Sequence, residues 1–168
     1  MQGGETMETR LEWLQPGQPL LPVSRVFQRG WQGAYRGIVP DAYLDALPED
    51  GWVDALAQPG RRTLLLRRGE QIAGACSFGP GRDPGREAWG EIYSIYLLPG
   101  QTGRGLGGLL LRAALSEMAG RPIFLWVMEE NARACRFYRR FGFAPGLGRE
   151  ERLCGRVIAE RRYDRPGE

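Results

Sequence analysis

The chain has 168 residues, 42% of them apolar, a net charge of +3, and neither lysine nor histidine. That length and apolar content predict one domain spanning residues 1–168 with a core of its own, and no apolar run approaches a membrane span. All 23 basic residues are arginine, which rules out lysine nucleophiles and Schiff bases and leaves carboxylates, tyrosines or water as general bases.

The arginines are scattered along the sequence, so no basic face for nucleic acid is expected. Cys76, Cys135 and Cys154 are too far apart for a Cys/His metal site. They read as reduced thiols, and no metal is expected. The stretch Met1–Leu14 is polar and acidic and lacks a signal-peptide apolar core, so the expected location is the cytoplasm.

In chain order, residues 1–17 read as a partly flexible lead-in with a short strand around Glu8–Leu14. Leu20, Leu21, Val23, Val26, Phe27, Trp31 and Tyr35 recur at helical spacing within residues 18–36. A second helix starts at Pro40-Asp41, turns Tyr43, Leu44 and Leu47 and then Trp52, Val53 and Leu56 inward, and ends at Pro59-Gly60. Arg62–Arg67 and Ile72–Phe78 form a hairpin, followed by a loop from Pro80 to Gly85. Trp89–Leu98 is a strand carrying Glu91 and Ser94. A helix follows the glycine loop and closes at Gly120, then come a strand over Pro122–Met128 and a helix over Asn131–Arg140. Arg156–Tyr163 is a last strand or hairpin. The predicted class is α/β, a mixed and mostly antiparallel central sheet with helices on both faces.

The segment Thr102-Gly103-Arg104-Gly105-Leu106-Gly107-Gly108 joins a strand to a helix. Glycines let the backbone turn sharply and approach a ligand, and the first N–H groups of a helix carry partial positive charge. Together they suit a pyrophosphate. A Walker loop is excluded because it needs lysine. Gly103, Gly105 and Gly108 satisfy the dinucleotide pattern, with Glu129 and Glu130 roughly 20 residues on. However, Pro99 to Thr102 separate the strand from the first glycine, and too few elements follow for a doubly wound sheet.

Three segments in order carry a more specific signal. Glu91-Ile92-Tyr93-Ser94-Ile95-Tyr96-Leu97-Leu98-Pro99, the loop Thr102–Gly107 and Asn131-Ala132-Arg133-Ala134-Cys135-Arg136-Phe137-Tyr138-Arg139-Arg140-Phe141-Gly142-Phe143 together resemble the GNAT superfamily of N-acetyltransferases. The resemblance covers most of the chain from Trp89 onward, and more weakly the hairpin and the Tyr35–Asp41 segment. One departure is Thr102, which stands where the family has glutamine or arginine, with Gln101 just before it.

The resemblance implies acetyl-CoA as donor and direct transfer to a small-molecule or peptide amine. Thr102, Gly103, Arg104, Gly105, Leu106, Gly107 and Gly108 would hold the pyrophosphate, and Ile95, Tyr96 and Leu97 would pair with the pantetheine arm. A main-chain N–H near Leu97 would polarise the thioester carbonyl. Glu91 matches the family's general base; the bland reading is a strand residue paired with an arginine, and the two weigh equally. Tyr138 matches the general acid, and Asn131 is a helix cap that also contacts cofactor. Trp31, Tyr35, Tyr43 and Tyr93 are acceptor-site candidates, each equally readable as core. Cys135 is not expected to carry acetyl. A dinucleotide-dependent oxidoreductase and a non-catalytic acyl-CoA-binding module stay open as alternatives, as does a homodimer.

Overall fold

A computed structural model describes residues 7–168, so the start of the expected lead-in lies outside the described residues. The elements are β1 (Thr9–Trp13), α1 (Leu21–Ala34), α2 (Asp41–Asp45), α3 (Val53–Leu56), β2 (Arg62–Arg68), β3 (Gln71–Pro80), β4 (Gly90–Leu97), α4 (Leu106–Glu117), β5 (Ile123–Met128), α5 (Ala132–Arg140), β6 (Ala144–Leu153) and β7 (Arg156–Arg165). The strands make one sheet in the order β1-β2-β3-β4-β5-β7-β6. Only β4 and β5 run parallel; every other neighbouring pair is antiparallel. This is the mixed, mostly antiparallel sheet expected from sequence.

Helices cover both faces. On one face α4 packs Leu106, Leu110, Leu111 and Ala114 against Leu64, Cys76, Ile92, Ile123 and Leu125, and α5 adds Tyr138. Leu110 and Leu111 are fully buried, and each contributes roughly 1.5–3 kcal/mol by leaving water. On the other face α1 packs Val23 and Phe27 on Leu65 and Ala75, and Tyr35 meets Leu44, Met128 and Ile158. Among the described residues no helix is long and apolar enough to cross a membrane.

One expectation is corrected. The single second helix is in fact two, α2 and α3, because Pro48 and Gly51 interrupt the backbone pattern between them. The linking segment is held by α1 side chains that satisfy its loose polar groups. Ser24 Oγ donates to Glu49 O at 2.6 Å and accepts from Trp52 N at 3.1 Å, while Gln28 and Gln32 donate to Leu47 O and Leu44 O. The tail, expected as a last strand or hairpin, is a hairpin, with β6 pairing antiparallel to β7, the strand that holds the Arg156–Tyr163 piece.

The feature that positions a site is the separation of β4 from β5. They pair only at Gly90–Ile123 and Glu91–Phe124. β3 keeps its hold on β4 as far as Leu97, and β5 stays paired to β7 through Met128. Between the pairs Phe78–Ile92 and Ser77–Ser94 the register shifts, leaving Tyr93 as an extra residue in β4. Such a bulge bends its strand, and past it β4 and β5 diverge, opening a gap through the middle of the sheet.

Candidate active site

The loop after β4 ends in Gly105, which has φ +76° and serves as the N-cap of α4 with no side-chain cap. Gly103, at φ +77°, shares that left-handed conformation, which other residues adopt only at a cost. Among the described residues, the N–H groups from Thr102 to Gly108 have no backbone acceptor. A run of unsatisfied donors at a helix N-terminus is an anion site. Arg133 of α5 reaches over Gly103, its guanidinium 3.9 Å from where a Cβ would stand. The sequence reading named Arg104 but not Arg133; its place in the first turn of the next helix, whose start also carries Asn131, was the available signal.

The β4 edge supplies the next part. Leu98 N donates to Ala73 O of β3 at 2.8 Å. Backbone direction alternates along a strand, so the polar groups of Leu97 and Ile95 face the gap and those of Tyr96 face β3. Of the three residues expected to pair with pantetheine, two therefore present free backbone groups. The Tyr96 side chain instead fills the core between Phe27 and Tyr35. At that contact α1 approaches so closely that a Cβ on Gly30 would lie 2.6 Å from Tyr96 Cβ.

Tyr138 enters the gap from the α5 side. It is 9% exposed, and burial pushes its hydroxyl well above the ordinary tyrosine value, so it holds its proton. Its electrostatic neighbours are Tyr35, from the opposite face, and the thiols of Cys76 and Cys135. Tyr35 and Tyr96 share a hydrogen bond of 3.1 Å between their hydroxyls. Burial raises Tyr35, while the hydrogen bond with Tyr96 opposes that shift and the charge of Glu160 adds to it. Asn131 caps α5, accepting from Ala134 N at 3.2 Å. Glu160 of β7, 9% exposed and paired with Arg149 at 2.6 Å, is a buried acid beside the gap that the sequence reading did not single out. Its signal was faint, one of two acids in a strand that carries four arginines.

Glu91 lies where β4 and β5 still touch, and it is 1% exposed. Both its oxygens are taken: Arg82 Nη2 donates to Oε1 at 2.7 Å, and Arg82 Nε and N donate to Oε2 at 3.1 and 2.9 Å. The arginine-paired reading of Glu91 is thus the geometry observed. Among the acceptor candidates, Trp31, Tyr35 and Tyr43 stack with one another inside the α1–α2 core. Only Tyr93 stands apart, half-buried on the sheet beside the gap. Cavities of about 670 and 460 Å³ lie elsewhere, between the C-terminal ends of α4 and α5 and beside α1, and neither includes the 102–108 loop.

A splayed parallel pair followed by an open glycine turn and an inward tyrosine can be compared with known families. Residues 25–143 match the acetyltransferase (GNAT) family model. This chain belongs to that family. An uncharacterized N-acetyltransferase of Mycobacterium tuberculosis is 32% identical over 116 residues, covering 67% of this chain and 72% of that protein. A mycothiol acetyltransferase of Mycobacteroides abscessus is 32% identical over 121 residues, or 70% of this chain; the chain spans only 38% of that longer protein. The GNAT fold is also that of the PaiA N-acetyltransferase of Thermoplasma acidophilum, solved with coenzyme A, at TM-score 0.67 and 17% identity over 95% of this chain and 99% of that one.

Proposed function

We propose that this GNAT protein is an acetyl-CoA-dependent N-acetyltransferase that acetylates a primary amine of a small molecule or peptide directly, within a ternary complex. The observation that carries this reading is the run of acceptor-free N–H groups from Thr102 to Gly108, set at the mouth of the β4–β5 gap. It fits a pyrophosphate without any lysine. When bound, acetyl-CoA supplies an activated acetyl thioester.

The loop N–H groups, with Arg104 and Arg133, hold the pyrophosphate. Ile95 and Leu97 pair their backbone with the pantetheine arm as an added strand would. The Leu97 N–H polarises the thioester carbonyl. Tyr138 donates its proton to the departing thiolate. Asn131 fixes the start of α5 and faces Tyr35 across the gap. Glu91 holds Arg82; taking a proton from the amine would break that ion pair, so the ammonium proton leaves to water over the open face. Three free thiols suit a cytoplasmic location. The relatives named mycothiol acetyltransferase place mycothiol-type acceptors among those to screen.

Thermal melting with acetyl-CoA, CoA, NAD and NADP tests the reading. A ligand at a hundredfold its dissociation constant adds about 2.7 kcal/mol, or roughly 5–10 °C for a chain of this size. Acetyl-CoA and CoA are expected to give that shift. Stabilisation by NAD or NADP alone would instead favour an oxidoreductase. A CoA shift with no amine acetylated across a broad panel would leave a binding module.

A further inference from the structure

The face of the sheet left open beside the gap carries one cluster that the cofactor roles do not use. The β4 bulge turns Tyr93 across the end of β3, where its hydroxyl donates to Pro80 O at 2.5 Å. The ring fits there because Gly79 has no side chain; a Cβ at that position would come 2.7 Å from the Tyr93 hydroxyl. Two guanidinium groups lie over this ring, Arg61 at 4.5 Å and Arg82 at 4.4 Å from its centroid.

The two arginines differ in how they are satisfied. Arg82 spends its Nε and one Nη2 hydrogen on Glu91, and the rest of its five N–H donors remain. Arg61 has neither an ion pair nor a side-chain hydrogen bond with any described residue; the charge of Glu91 is the favourable one near it. Burial, and then the nearby charge of Arg82, lower its hold on its proton. Asp83, next in the loop, is already used by Trp126 and Arg162. Two guanidinium groups against one carboxylate leave a single excess positive charge on an aromatic floor. That is the complement of one carboxylate, whose two oxygens match the planar guanidinium fork.

Distance narrows the class further. Tyr93 lies two to four residues upstream of Ile95 and Leu97, roughly 7–13 Å along the strand at about 3.3 Å per residue. An α-amino acid is too short to place its amine at the gap and its carboxylate at Arg61. We propose that Arg61 and Arg82, both set against the Tyr93 ring, bind the carboxylate of the acceptor, which is a primary amine with that carboxylate several bonds away: an ω-amino acid or a short peptide. This rests on the acetyltransferase reading above.

The test titrates the CoA-loaded protein calorimetrically with 6-aminohexanoate, triglycine, the carboxamide of each, and glycine. Turnover of the same compounds with acetyl-CoA is followed by thiol release. One or both free acids are expected to exceed their amides in affinity and in kcat/KM by about tenfold or more, and glycine to be poor. Preference for 6-aminohexanoate marks a free ω-amino acid; preference for triglycine marks a peptide. In Arg61→Gln the acid-to-amide ratio should fall to within about twofold, through KM rather than kcat, and Arg61→Lys should keep part of it. Acetyl-CoA affinity of each variant serves as the folding control. Equal handling of acids and amides, an unaltered ratio in Arg61→Gln, or no binding of any compound to the CoA-loaded protein overturns the carboxylate site alone. Failure of wild-type protein to bind acetyl-CoA removes the acetyltransferase reading itself.

Discussion

The two sides of the gap are built from different materials. The glycine-loop side offers backbone: unsatisfied N–H groups from Thr102 to Gly108 and the free edge of β4. Its requirements are conformational, so Gly103 and Gly105 matter for their φ rather than for any contact. The opposite side offers side chains: Arg61, Arg82, Glu91 and Tyr93 near the bulge, and Trp126, Arg149 and Glu160 beyond it. Each guanidinium there is placed by an aromatic ring, a carboxylate or both. A backbone cradle recognises what all donors of one class share, whereas a side-chain surface can be altered one substitution at a time. Under the proposed reading, the constant chemistry of a cofactor and the variable chemistry of an acceptor are thereby kept apart, with Tyr138 placed where the two sides meet.

The largest effect is expected at that meeting point. Tyr138→Phe removes a hydroxyl that makes no hydrogen bond with the described residues and leaves the ring packed against Phe137 and Phe143. Loss of a general acid typically costs 10²–10⁴ in rate, so kcat should fall by about a hundredfold. Acetyl-CoA affinity and melting temperature should stay near wild type. Unchanged kcat in steady-state assays would take Tyr138 out of proton transfer and leave the gap without an acid.

A smaller effect is expected on the backbone side. In Gly105→Val the added Cβ meets no atom within 4 Å, so its penalty comes from φ +76°. Forcing a side chain into that region costs about 1–2 kcal/mol, more for a β-branched residue. The loop relaxes out of its cradle shape, and the acetyl-CoA dissociation constant should rise by about tenfold. Calorimetric titration checks it, and wild-type affinity would mean that the N–H cradle is not what holds the cofactor.

The same division decides what could be read from the sequence. Glycine positions and the strand–turn–helix order are local, and both the loop and the β4, α4, β5 and α5 elements stand where their residues placed them. The hairpin alternative for the tail gave β6 no bounds because it is an edge strand, exposed along nearly its whole length and carrying Pro145, Gly146 and Gly148. It has no buried period to detect, and pairing with β7 alone makes it a strand. The break between α2 and α3 was legible at Pro48, but the apolar residues on either side mimic one continuous face. Arg82, by contrast, meets Glu91 only because the bulge and the 80–89 loop fold back together, and Arg61 reaches Tyr93 from 32 positions away in sequence. No spacing rule connects those residues; the sheet register does.

That register-made contact gives the smallest predicted effect. Glu91 is buried but the Arg82 side chain is 58% exposed, so water screens the pair and Arg82 can turn outward when its partner is lost. Glu91→Gln keeps one acceptor oxygen and replaces the other with a donor facing Arg82. A hydrogen bond to a charged group contributes about 1.5–3 kcal/mol, and after discounting for exposure a loss of roughly 1–2 kcal/mol remains. For a chain of this size that is a fall in melting temperature of about 2–8 °C. If Glu91 positions Arg82, the variant should bind carboxylate acceptors less tightly while its pH–rate profile keeps its shape. A profile displaced toward alkaline pH would mean that Glu91 takes the amine proton after all, and that the side-chain surface performs chemistry as well as recognition.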